Sequence, residues 1–156
     1  IQQRILKRKK IMKKIKMMMA GLAVLLSSCA RTDVVKWTEA RNYFHVGEAR
    51  LPETMKITRQ QTFDENFGMA AVMGKNGEPT PINFNKSFVL AKIVPETDRQ
   101  TTLQPLALKK VDGKLLLTYR YTQGARQSFT IRPFFLLIVP KAYEKLEIEE
   151  KMVDKE

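Results

Sequence analysis

The chain lacks most of what enzymes build active sites from. It has one cysteine and one histidine in 156 residues. A single cysteine forms no internal disulfide, and one Cys with one His cannot hold a structural zinc. Beyond Cys29 only two serines remain, Ser87 and Ser128. No G-x-S-x-G, Walker A, G-x-G-x-x-G or H-E-x-x-H pattern occurs. Ser128 sits in Gln-Ser-Phe-Thr inside a strand pattern and reads as structural. Asp64 and Glu65 are adjacent on a helix pattern, so they point in different directions and read as solvated charges. No EF-hand spacing is present, so neither a metal site nor a cofactor is implied. No apolar run approaches the ~20 residues of a spanning helix. What is present is the composition of a folded protein, 44% apolar, at a length suited to one domain.

The formal net charge is +12, from 28 basic and 16 acidic residues. Its distribution argues against nucleic acid as a partner. Residues 1–28 hold eight basic side chains and no acidic one, which leaves 20 against 16, or +4, for the rest. In that remainder Lys109, Lys110, Lys114, Arg120, Arg126 and Arg132 are spread among apolar residues. A nucleic-acid surface needs a dense basic patch with aromatic platforms.

The basic surplus marks a leader. From Met12 the chain reads MKKIK, then the short apolar stretch 17–26, then Ser27-Ser28-Cys29. Ten residues at ~1.5 Å rise cover about half a bilayer core, which suits a secretory signal and not a permanent span. Residues 1–11 read as an over-extended reading frame, with Met12 the natural start. Leu26-Ser27-Ser28-Cys29 resembles the lipobox of bacterial lipoproteins. The resemblance implies cleavage before Cys29 and a diacylglycerol on its thiol, with acylation of the new amine. Two or three acyl chains suffice for stable anchoring. Ala30 in place of Asp leans the sorting toward the outer membrane, facing the periplasm.

Residues 29–41 read as the lipidated cysteine and a tether, with Trp37 covering an edge of the core. Residues 42–150 read as a single β-rich domain, and 151–156 as a frayed tail. Tyr43 and His45 fall on one face of a short strand, Phe44 and Val46 on the other. His45 has no nameable partner and reads as a boundary residue. A helix is expected at 59–67, opened by a capping box from Thr58 to Gln61 and closed by a left-handed Gly68. Phe63 and Phe67 lie four apart on its buried face. Residues 68–82 hold three Gly and two Pro. A connection this long is often functional. Its Met69, Val72 and Met73 are adaptable apolar contacts, fit either to close over the core or to meet a partner.

Downstream the pattern is β. Phe88-Val89-Leu90-Ala91 is apolar throughout, as in a strand covered on both faces. Residues 96–102 read as a polar loop. Asp112-Gly113 between two apolar runs signals a two-residue hairpin. Its register sets Leu108 opposite Leu117 and Leu106 opposite Tyr119, with Leu106, Leu108, Leu115, Leu117 and Tyr119 facing the core. Gln123-Gly124-Ala125 reads as the next turn, and 126–139 as a third strand interrupted by Pro133. The expected fold is therefore α+β. A mainly antiparallel sheet carries a 103–139 meander, curls into a small sandwich or half-barrel, and packs one short helix.

A second resemblance covers about half of the chain. Ile57 to Phe63, Ile82 to Leu90 and Arg132 to Val139 are similar to pieces of the C-terminal domain of the PrcB family, which is linked to stabilising a surface protease complex. The resemblance implies a small β-rich domain with one helix, associated with a protease. The family's Gly-Gly-Tyr turn is replaced here by Val94 to Arg99, so no role of that turn carries over.

The leading functional reading is a lipid-anchored, non-enzymatic module that binds a protein partner, a protease or an envelope assembly. Met69, Val72, Met73, Glu96, Asp98 and Arg99 are its candidate contacts. One alternative is a small-ligand or carbohydrate-binding lipoprotein, with a pocket lined by Tyr119, Tyr121 and residues 68–82. Another is a hydrolase with a carboxylate-centred site.

Overall fold

The computed structural model describes residues 31–46 and 53–154. Cys29, Ala30 and the leader lie outside these residues.

The chain from Ser87 to Pro140 is one long hairpin folded over on itself. Strand β6 (Ser87–Ile93) pairs antiparallel with β9 (Phe134–Pro140), and β7 (Thr97–Val111) with β8 (Lys114–Ile131). The hairpin turn is Asp112-Gly113, both at positive φ (49° and 79°), as a type I′ turn requires. The fold-over falls where Val94-Pro95 lies beside Arg132-Pro133, with the Val94 amide donating to the Pro133 carbonyl at 3.0 Å. Neither proline has an N–H for a ladder, so both strands bend here and pass into a second sheet.

Shorter strands complete the two sheets. In the first, the order is β1 (Thr32–Val34), β7, β8 and β10 (Ile148–Val153). In the second, it is β2 (Thr38–Glu39), β9, β6 and β4 (Glu53–Ile57). A two-stranded ribbon joins β3 (Tyr43–His45) to β5 (Phe67–Met69). Helix α1 (Gln60–Asn66) precedes β5 directly. The molecule is α+β and mainly antiparallel, with a single short helix and no closed barrel among the described residues.

The middle sheet is covered on both faces, which explains its unbroken apolar runs. Phe88, Leu90, Phe135, Leu137 and Val139 meet Leu108, Leu115, Leu117 and Tyr119 of the first sheet. The alternate residues Val89, Ala91, Ile93 and Leu136 meet Ile57, Phe63 and Phe67 on the other side. Period-two alternation thus builds two cores from one sheet. Trp37 packs on the first core as an edge cover.

Several expectations need correction. Residues 32–40 are part of the domain and not a tether. β1 pairs with β7, β2 with β9, and Val35 and Ala40 are buried. The 103–139 segment is divided between two sheets, because β9 leaves β8 at Pro133 and pairs with β6. Residues 97–102 are strand, paired with β8. The turn expected at Gln123-Gly124-Ala125 is continuous β8, yet it marks an irregularity. Thr97 to Thr101 is four steps, whereas their partners Ile131 to Gln123 span eight, so β8 bulges.

Leu108 faces Leu117 as expected, but Tyr119 faces Pro105. A bulge after the buried Pro105 turns Leu106 outward, where it is 38% exposed. The helix starts after Arg59 with no side-chain cap, so Thr58 does not close a capping box. Gly68 lies in β5 and not in a left-handed cap. The tail expected from residue 151 begins as strand: Lys151, Met152 and Val153 continue β10, parallel to β8, and residues 155–156 lie outside the described residues.

Candidate functional site

The site is built on the ribbon, on α1 and on the segment after β5. Phe44 crosses over Gly68, where an added Cβ would sit 2.4 Å from the Phe44 ring. Only glycine permits this approach. On the opposite face Tyr43 packs edge-on against Phe63, with ring centroids 5.1 Å apart. The phenol of Tyr43 donates to the Thr80 carbonyl at 2.7 Å. Its pKa is raised, first by burial and then by the nearby Asp64 carboxylate.

The 68–82 segment is irregular but tied down. Asn42, at φ 62°, donates through its side-chain amide to the carbonyls of Asn76 (2.8 Å) and Glu78 (2.9 Å). The Arg41 amide donates to the Thr80 hydroxyl at 3.0 Å, and the Thr80 amide to the Arg41 carbonyl at 3.1 Å. Within the loop, the Val72 amide donates to Gly77 at 2.9 Å. Asn76 takes the positive φ (64°) that its Asn-Gly signal suggests. The result is a fixed frame that lifts apolar side chains into solvent. Met69, Val72 and Met73 are 70%, 61% and 102% exposed. They do not close over the core.

Beside them runs a concavity of about 390 Å³. Phe63, Phe67, Met69 and Ile82 supply its apolar lining, and Gln60, Asp64 and Glu78 its polar lining. Sequence reasoning named Met69, Val72 and Met73 but missed the Asn42 clamp and the wall from α1. Both are long-range contacts, and the only local signal was an asparagine before an aromatic strand.

The other candidates lie elsewhere, near the fold-over. Glu96 pairs with Arg132 at 3.6 Å and Asp98 with Arg126 at 3.5 Å. The Arg99 guanidinium donates to the Gly124 carbonyl at 3.1 Å. These bonds hold β7 to the bulged part of β8, and none of the three residues lines the concavity. At the start of β7 the Thr97 hydroxyl accepts the Arg99 amide at 3.1 Å.

His45 has a partner after all. Its Nδ1 lies 3.3 Å from the Arg132 guanidinium, which can only donate. Nδ1 must therefore accept, which places the ring proton on Nε2. The pKa of His45 is lowered, by burial and then by Arg132, against a smaller opposing effect of Glu53. An arginine partner makes the ring a poorer base, which suits a boundary residue.

Tyr119 and Tyr121 belong to the core between the two sheets, whereas Phe63 and Phe67 belong to the core on the far side of the middle sheet. The pocket expected from Tyr119, Tyr121 and the 68–82 loop is therefore not formed. Among the described residues the buried charged side chain is Lys92, paired at 2.7 Å with the partly exposed Glu150, and not one of two converging carboxylates. Among the described residues no group of three His, Cys, Asp or Glu side chains gathers as a metal site. No described helix is long and apolar enough to cross a membrane. Compared with known proteins, the chain matches no family model, no curated protein and no solved structure.

Proposed function

We propose that the chain is an envelope lipoprotein, anchored through Cys29, whose domain is a non-enzymatic module that docks a protein partner. The observation that carries the docking reading is the rigid display of Met69, Val72 and Met73. The hydrogen-bonded frame holds the backbone under these three exposed apolar side chains, so binding has to order the side chains and not the loop, and exposed apolar surface held in place marks an interaction site. Met adapts its shape to a partner. The PrcB-like pieces suggest a protease complex or an envelope assembly as the partner's class. The test is whether Met69 and Met73 are shielded from oxidation in intact envelopes and open in the extracted chain.

The anchor rests on the lipobox. Cys29 stands three residues before β1, so a lipid on it would keep the start of β1 within about 10 Å of the anchored cysteine. Ala30 supports an outer-membrane address facing the periplasm. Cys29→Ala is expected to accumulate as an uncleaved precursor that takes up no labelled fatty acid. Labelling equal to wild type would refute the anchor without touching the docking surface.

A further inference from the structure

We infer that the groove beside Met69 receives an extended segment of the partner, which sets one Lys or Arg over Asp64 and Glu78. The inference rests on the protein-docking reading above and specifies the partner's chemistry.

The groove is elongated. The concavity against α1 shares Glu78, Pro79 and Pro81 with a neighbour of about 560 Å³ that extends toward Gly74. At its other end it shares Gln60 and Ile82 with one of about 590 Å³ that extends toward Asn85. Three open concavities joined through shared lining residues suit an extended chain better than a compact small molecule, which needs to be largely enclosed. The wall is already in place, because Asn42 holds the Glu78 carbonyl and Tyr43 holds that of Thr80. An occupant therefore meets a formed surface and does not have to order it.

The charge is segmented. The middle concavity is lined by Asp64 and Glu78 and by no basic residue. Among the described residues neither carboxylate forms an ion pair; Asp64 accepts only from Gln60, at 2.7 Å. Arg41 lines one end of the groove together with Glu78, and Arg59 and Lys141 line the other, Lys141 being paired with Glu144 at 3.6 Å. A polybasic segment would meet like charge at both ends. A single cation between apolar residues fits the acidic middle, with its neighbours against Phe63, Phe67 and the prolines. The rest of the domain carries a basic surplus, so this short acidic stretch selects among partners more than it adds affinity.

The test pans a phage-displayed library of random linear peptides against the full chain purified in detergent. A synthetic copy of a recovered peptide is then titrated against wild type and against the double variant Asp64→Asn/Glu78→Gln. The recovered peptides are expected to share one Lys or Arg flanked by apolar residues. The double variant is expected to bind about fivefold to tenfold more weakly and to lose the salt dependence of wild type. Changing the peptide's cation to Gln should reproduce that loss on the wild-type protein, which separates a lost contact from a misfolded variant. No enrichment, acidic peptides, or equal affinity for the double variant would overturn the inference. If Met73 is shielded in envelopes while the double variant binds normally, docking stands and the groove chemistry fails. If peptides need Asp64 and Glu78 while Met73 is open in envelopes, the groove chemistry stands and the cellular docking role fails.

Discussion

Glu150→Ala is expected to lower the stability of the protein by about 3 kcal/mol, read from urea denaturation. Glu150 lies on β10 and faces the middle sheet. It accepts from Lys92 at 2.7 Å and from the Thr54 hydroxyl. Lys92 is 6% exposed and is the one buried charged residue among those described. Its ammonium also lies 5.1 Å from the Tyr119 ring centroid and donates to Thr54 at 3.1 Å. The pair therefore ties β6 and β4 of one sheet to β10 and β8 of the other. Removing Glu150 leaves an ammonium held by a hydroxyl and an aromatic face alone. Removing Lys92 is expected to cost less, about 1–2 kcal/mol for Lys92→Met, because the partly exposed Glu150 can turn to water. Equal losses in the two variants would show that Lys92 is not buried as described.

The same pair sets an acid limit. Burial pushes the pKa of Glu150 up, but hydrogen bonds from Lys92, Thr54 and Tyr119 and the charge of Lys92 together hold it below its ordinary 4.5. A carboxylate with a depressed folded pKa stabilises the fold above its unfolded pKa, and that stability is lost as pH falls through the folded value. Wild type is therefore expected to lose stability on acidification below about pH 4.5. Glu150→Gln should be weaker at neutral pH and flatter through that range.

Gly77→Ala is expected to abolish the shielding of Met73 in envelopes while the domain stays folded. A Cβ at position 77 would lie 1.8 Å from the Val72 carbonyl oxygen, which is backbone and cannot swing away. The loop must open, and with it the bonds of Val72 to Gly77 and of Gly77 to Gly74. Neither core contains a residue of 70–80, so urea denaturation should shift by no more than about 1 kcal/mol. Asn42→Gly should act in the same direction more mildly. It keeps the positive φ but drops the two bonds to Asn76 and Glu78. A Gly77→Ala protein with Met73 still shielded would mean that the loop's shape is not what the partner reads.

The local signals that proved reliable were those with a strong period or a special backbone. The run from Phe88 announced a strand covered twice, Asp112-Gly113 a tight turn, and Leu108 opposite Leu117 a register. Two of the short edge strands were not visible. β1 and β2 are polar and brief, and each exists because a neighbouring strand offers a ladder, which leaves no mark in local sequence. Lys92 is a polar residue at the end of an apolar run, and nothing local shows that it finds Glu150 58 residues away. The site was half legible. Met69, Val72 and Met73 stand out as apolar residues in a Gly- and Pro-rich segment. The clamp from Asn42 and the groove against α1 arise from tertiary contacts, and Glu96, Asp98 and Arg99 were drawn in by a loop that is in fact a strand.

The most direct test of the docking surface is oxidative labelling of the methionines, followed by mass spectrometry, in intact envelopes and in the full chain extracted in detergent. Met69 and Met73 lie on the surface, while Met152, 53% exposed on β10, serves as an internal reference. Met69 and Met73 are expected to oxidise several-fold more slowly in envelopes than after extraction, with Met152 alike in both. Met73 oxidising as fast in envelopes as in the extracted chain would contradict the docking reading.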